Sequence, residues 1–171
     1  MAIITLNNNS LSSVTALPAG VGGKVLQVVS TTKVDVFSST STSYTDITGL
    51  SASVTPSNSS NKILVFCNAS TSVSGDNNAH LQLLRGSTVI ANGTDGTIGA
   101  FAAINGNSTG FRYSTAQQSI SFLDTPSTTS AITYKIQIKS DDVGITTYIN
   151  RRGLNTYLSG SSSITLMEVS A

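Results

Sequence analysis

The chain has 171 residues, nine basic and eight acidic side chains, and a net charge of +1. Only 10% of its residues are charged, against about 25% in an average globular protein, so nothing in the balance favours a polyanion or an anionic membrane as partner. Tryptophan is absent and aromatics are 6%, which argues against a platform for stacking sugars.

Ser, Thr, Asn and Gly take the place of charge. Ser, Thr and Asn compete with the helical backbone for hydrogen bonds, whereas Thr, Val and Ile suit a pleated, half-buried surface. The composition predicts β-structure. Residues 1–23 stand apart, because they carry no charged side chain and end in Leu17-Pro18-Ala19-Gly20-Val21-Gly22-Gly23. Ile3, Ile4, Leu6, Leu11, Val14 and Leu17 follow no single period, as expected of an extended arm followed by a flexible joint. With no basic residue before Lys24 and with Asn7-Asn8-Asn9 interrupting it, the segment is a poor signal peptide.

From Lys24 onward the pattern alternates strand and turn. Strands are expected at 24–29, 33–37, 43–48 and 50–54, the last two separated by Gly49. Residues 62–68 form a near-continuous apolar run, as for a strand covered on both faces. Residues 79–85 and 88–91 predict a hairpin closed around Gly86-Ser87. Residues 92–110 hold five glycines and three asparagines, which predicts a long loop with a short strand at 100–104. A strand at 117–123 leads into a turn at 124–130. Residues 131–139 alternate most cleanly: Ile132, Tyr134, Ile136 and Ile138 face one way, Thr133, Lys135, Gln137 and Lys139 the other. Strands at 145–150 and 163–169 complete the series. About ten short strands separated by turn signals predict an antiparallel β-sandwich, jelly-roll-like, over residues 24–171.

The chemistry of reaction sites is thin. His80 is the only histidine, so a serine nucleophile has one base to choose from, and no Cys or second His lies near it in sequence. Cys67 sits in the most apolar strand, where a thiol behaves as a small hydrophobe, and a lone cysteine makes no internal disulfide. Asp141-Asp142, before Gly144, reads as a turn. Gly75-Asp76-Asn77-Asn78 has oxygens that could serve Ca²⁺, but a plain turn is the stronger expectation. Asn-x-Ser/Thr sequons such as those at Asn58, Asn68, Asn92 and Asn107 are expected by chance in such a composition. Arg151-Arg152, before Gly153, is the one basic doublet; it reads as an exposed turn or as a contact with a partner. No catalytic residue, cofactor or metal site is expected.

Several stretches act in combination: KVLQVVSTTK at 24–33, YTDITGLS at 44–51, PSNSSNKILV at 56–65, FLDTP at 122–126 with YKIQ at 134–137, and SITLMEV at 163–169. Over roughly residues 24–170 the chain resembles virion structural domains of tailed bacteriophages, particularly those of marine and cyanobacterial hosts. The resemblance implies a jelly-roll-like β-sandwich, often a homotrimer, used on capsid surfaces and at the ends of tail fibres. The expected function is non-enzymatic: a capsid decoration or cement protein bound between major capsid subunits. The alternative is a tail-fibre tip or receptor-binding protein that meets tail proteins and a host surface receptor; a lectin-like or glycosidic enzyme ranks third. Synthesis in the host cytoplasm and a place in the virion follow from the resemblance, with neither nucleic acid nor membrane insertion expected. The expected partner contacts are Ile3, Ile4, Leu6, Leu11, Val14 and Leu17, against a neighbouring copy or the shell, and Arg151 and Arg152.

Overall fold

The computed structural model describes residues 24–94, 99–105 and 112–171. The arm residues Ile3, Ile4, Leu6, Leu11, Val14 and Leu17 lie outside them. In the described residues the strands are β1 (Val25–Lys33), β2 (Phe37–Ser39), β3 (Thr45–Val54), β4 (Lys62–Val73), β5 (Asn78–Arg85), β6 (Thr88–Ile90), β7 (Ala102–Asn105), β8 (Ala116–Asp124), β9 (Ile132–Ser140), β10 (Thr147–Ile149) and β11 (Ser162–Val169). One sheet runs β1-β11-β4-β10-β2, with β8 on the other side of β4; the second runs β3-β9-β5-β6, with β7 also on β5. All pairings are antiparallel. The fold is an all-β, jelly-roll-like antiparallel sandwich, as the alternation predicts.

The core lies between the sheets. Tyr134, Ile136 and Ile138 on β9 are fully buried and pack in one cluster with Ile63, Val65, Leu81 and Leu83, with Ile120, Phe122 and Ile132 at its margin. The hairpin around Gly86-Ser87 forms as expected, with Gly86 in the left-handed region at φ +60°.

Expectations fail locally in several places. Residues 62–68 are not covered on both faces: their side chains alternate, with Lys62, Phe66 and Asn68 exposed. Residues 33–37 are not a strand: β1 ends at Lys33, and residues 34–36 turn outward with Val34 and Val36 exposed. The cause is Lys33, whose ammonium is buried and bonded to Asp35 Oδ2 at 2.6 Å, a contact that bends the chain. Gly49 does not separate two strands. Its φ of +83° carries β3 through an irregularity between Asp46 and Ser51 without ending the strand, a conformation that costs glycine little.

The sandwich has two unlike ends. At the terminal end, Lys24 and Ser170 pair, with Ser170 N donating to Lys24 O at 2.9 Å. Two buried carboxylates sit there. Glu168 accepts from Gln27 Nε2 (2.5 Å), Ser57 N and Oγ (both 2.7 Å) and Asn61 Nδ2 (2.6 Å). Asp124 accepts from Arg85 Nη1 (2.9 and 3.0 Å) and Tyr134 Oη (2.6 Å). The turn expected at 124–130 is corrected at its first residue: Asp124 is the last residue of β8 and is buried, with Arg85 and Tyr134 satisfying its charge.

Burial raises the Glu168 pKa, but the hydrogen bonds from Gln27, Asn61 and Ser57 outweigh it and hold the group down at about 2. A carboxylate depressed on folding stabilises above its ordinary range, and that stability is lost as pH falls through the folded value. Glu168→Gln is expected to cost ~2–3 kcal/mol at pH 7, since buried donors lose a charged acceptor. Melting curves should show the gap between the two proteins closing as pH falls toward about 2. A gap independent of pH would contradict this account.

Candidate functional site: the loop end and its arginine–tyrosine turn

The opposite end gathers the start of β11, the ends of β1, β4 and β9, and the residues between β10 and β11. Asn150 organises it. It follows β10 in a left-handed conformation (φ +64°) and is fully buried. Its Nδ2 donates to Lys33 O (2.8 Å) and Asp35 O (3.0 Å), and its Oδ1 accepts from Ser162 Oγ (2.6 Å). Its backbone N–H donates to Ser70 O (2.8 Å), and its carbonyl accepts from Gly160 N (3.1 Å). One residue thus ties both feet of the 151–159 turn to β1, β4 and β11.

The turn itself is narrow. Arg151 bridges to Ser159, Arg152 N donates to Leu158 O (3.3 Å), and Leu154 N donates to Arg112 O (2.8 Å). Gly153 is seated against β4: a Cβ there would lie 1.9 Å from Val73 O. The backbone approaches so closely that no larger residue fits without moving the turn.

This scaffold holds out a cluster of arginine and tyrosine. The Arg151 guanidinium lies 4.2 Å from the Tyr148 ring centroid. Arg152 lies 4.8 Å from Tyr157 and 5.8 Å from Tyr113, and its Nε donates to Asn155 Oδ1 at 2.7 Å. Such stacking is attractive and fixes the cation in place. Tyr157 is 86% exposed and Tyr113 56%, with Leu154 and Leu158 also outward. The described carboxylates pair with Lys33, His80, Arg85, Lys135 and Lys139; none reaches Arg112, Arg151 or Arg152. The turn is basic and aromatic, and its shape is pre-set.

The structure thus brings Arg151 and Arg152 together on one turn. Both are half-buried, each beside a tyrosine ring, while residues 154–159 of the turn are exposed. Sequence reasoning missed Tyr113, Tyr148, Tyr157 and Asn150. Tyr157-Leu158 in a polar turn was a visible signal; Tyr113 was not, because only the fold brings it to Arg152.

His80 gains a partner that the sequence did not suggest. Its Nε2 lies 2.7 Å from Asp141 Oδ1, and Asn78 Nδ2 donates to Asp141 Oδ2 at 3.1 Å. Burial raises the Asp141 pKa, but His80 and Asn78 outweigh it and leave it lowered. Among the described residues no hydroxyl or thiol is bonded to His80, so the pair has no nucleophile to activate. It ties β5 to the turn after β9. Asn77 Nδ2 bonds Asp142 Oδ2 in the same place, and Asn77 Oδ1 accepts from Asn78 N, so these side-chain oxygens serve the turn. No group of three or more metal-ligating side chains occurs among the described residues. Cys67 is buried, which pushes its thiol up to about 12, and a thiol held protonated is a poor nucleophile.

No family model matches this chain, and no curated protein matches it. Among solved structures it is similar to one described as the structure of infectious bursal disease virus Gt strain, at 17% identity and a TM-score of 0.45. The match covers 84% of this chain and 40% of that one, so this chain spans well under half the length of that neighbour.

Proposed function

We propose that this chain is a non-enzymatic structural protein of a tailed-phage virion: a capsid decoration or cement protein, homotrimeric, that binds between major capsid subunits. The resemblance over residues 24–170 supplies the setting. The observation that carries the mechanism is the 151–159 turn, where Arg152 stacks between Tyr113 and Tyr157 on a backbone fixed by Asn150 and Gly153. Arginine and tyrosine dominate binding energies at protein interfaces when they are held rigid and desolvated on contact. Among the described residues no carboxylate pairs with Arg151 or Arg152, and this basic character fits a carboxylate-bearing shell surface. Binding by surface burial needs no reacting group.

The second reading is a tail-fibre tip that recognises a host receptor. The position of this turn, at the end of the sandwich opposite the entry of residues 1–23, favours it: one end would hold the particle and the other would face outward.

Cryo-microscopy of intact particles separates the two. Hundreds of copies on the shell mean decoration; a few at the tail mean recognition. Arg152→Ala is expected to weaken attachment about 10- to 30-fold, as for a hot-spot arginine, while the melting temperature stays within a few degrees. Full occupancy of particles by the variant would remove the turn from the contact.

A further inference from the structure

The outer face of the first sheet is half polar and half apolar. The registers place Val28, Met167, Leu64 and Leu123 in one row across β1, β11, β4 and β8. Val25 and Val169 pair in the row nearer the terminal end, and Phe66 stands in the row on the other side. Val28 is 55% exposed and Leu123 48%, with Val25, Leu26 and Phe66 similarly open. Further along the same face the row is Thr32, Ser163, Asn68 and Ser119, the polar pattern normal for a wet sheet face. A contiguous apolar patch confined to one end marks a surface that something covers.

The sequence supplies a segment of matching chemistry at the matching place. Residues 1–17 contain no charge and hold Ile3, Ile4, Leu6, Leu11, Val14 and Leu17. They join the sandwich at Lys24, beside the apolar end. Lys24 is still in line with β1, because its N–H donates to Ser170 Oγ (3.0 Å) and its carbonyl accepts from Ser170 N. Lys24 thus continues β1 at the terminal end of the sheet, which places the attachment point of the segment beside the apolar row. Three inter-strand steps make the row about 15 Å wide, whereas 17 extended residues reach roughly 55 Å.

We propose that residues 1–17 of one copy cover the Val28–Met167–Leu64–Leu123 row of a second copy. Each chain gives one segment and offers one row, so in the homotrimer proposed above the exchange runs head-to-tail around a three-membered ring. This deepens the homo-oligomeric part of the function proposed above, and self-association can be read apart from particle binding.

The test uses the full chain, a deletion of residues 2–17, and the outer-face variants Val28→Asp and Leu123→Asp, with circular dichroism and melting to verify folding. Light scattering should give an oligomer for the full chain and monomers for the others, self-association weakening roughly 100-fold or more. Mixing the deletion, which keeps its row, with Val28→Asp, which keeps its segment, should restore a mixed complex. If one aspartate variant fails to fold, the other and the deletion carry the comparison. A full-length monomer, with its segment either shielded from chymotrypsin or cut by it, would overturn the proposal; so would an oligomer that survives the deletion, or a mixture that stays monomeric.

Discussion

Asn150→Ala is expected to lower stability by about 3–5 kcal/mol, read as a fall in the urea midpoint at constant slope. The substitution removes two donors and one acceptor from a site with no exposure. Lys33 O and the Ser162 hydroxyl are left without this partner in a buried site, at ~1–3 kcal/mol each, while Asp35 O, on an exposed residue, can turn to water. Alanine must also hold φ +64°, which costs an L-residue with no side-chain amide roughly 1–2 kcal/mol. Asn150→Gly removes the strain but not the lost bonds, so it should be about 1 kcal/mol more stable than the alanine variant. Equal losses would show that the backbone conformation contributes nothing. A loss below ~1 kcal/mol for alanine would show that the residue does not pin the turn.

The second large effect lies in the core. Ile136 on β9 has no exposure and packs in the cluster with Leu81, Leu83, Ile63 and Val65. Ile136→Ala should cost ~2–5 kcal/mol, because a cavity adds to the lost transfer energy. Lys135, its neighbour in sequence, faces the other way and pairs with Asp46 at 2.8 Å, and Asp46 is half exposed. Lys135→Ala should cost under ~1 kcal/mol, the range of an exposed ion pair. Similar losses at the two positions would mean that the register of β9 is wrong.

The register of β9 was legible because a period of two over eight residues leaves one answer: shifting by one residue buries two lysines. The apolar run at 62–68 announced β4 but not its continuation to Val73, where Ser70, Thr71 and Ser72 are buried. Hydroxyl residues read as turn, and only contacts such as Ser72 Oγ to Arg151 O make them core. Glu168, Asp124 and His80 were visible as single residues. Their partners were not, since Glu168 meets Ser57 and Asn61 across more than a hundred residues of chain. Arg151-Arg152 was visible as a doublet because two charges stand out in a chain with so few. The shape that makes the doublet useful comes from Asn150 and Gly153, whose roles depend on backbone geometry that composition does not encode.

The pairing of β1 with β11 bears on how the protein is made. Among the described residues β1 is hydrogen-bonded on one side only, to β11, and β11 also pairs with β4. Until residues 162–169 have left the ribosome, β1 lacks its partner β11 and one side of β4 stays open over most of its length. A nascent chain can form the hairpin of β5 and β6 and the β4–β8 pairing early, but β1 joins the first sheet only through β11, in a late step. Long-range pairing of this kind slows folding and prolongs exposure of unpaired strand edges. Truncations that remove β11 should therefore yield aggregates in place of a smaller folded domain, and synthesis at lower temperature should raise the soluble yield of the complete chain.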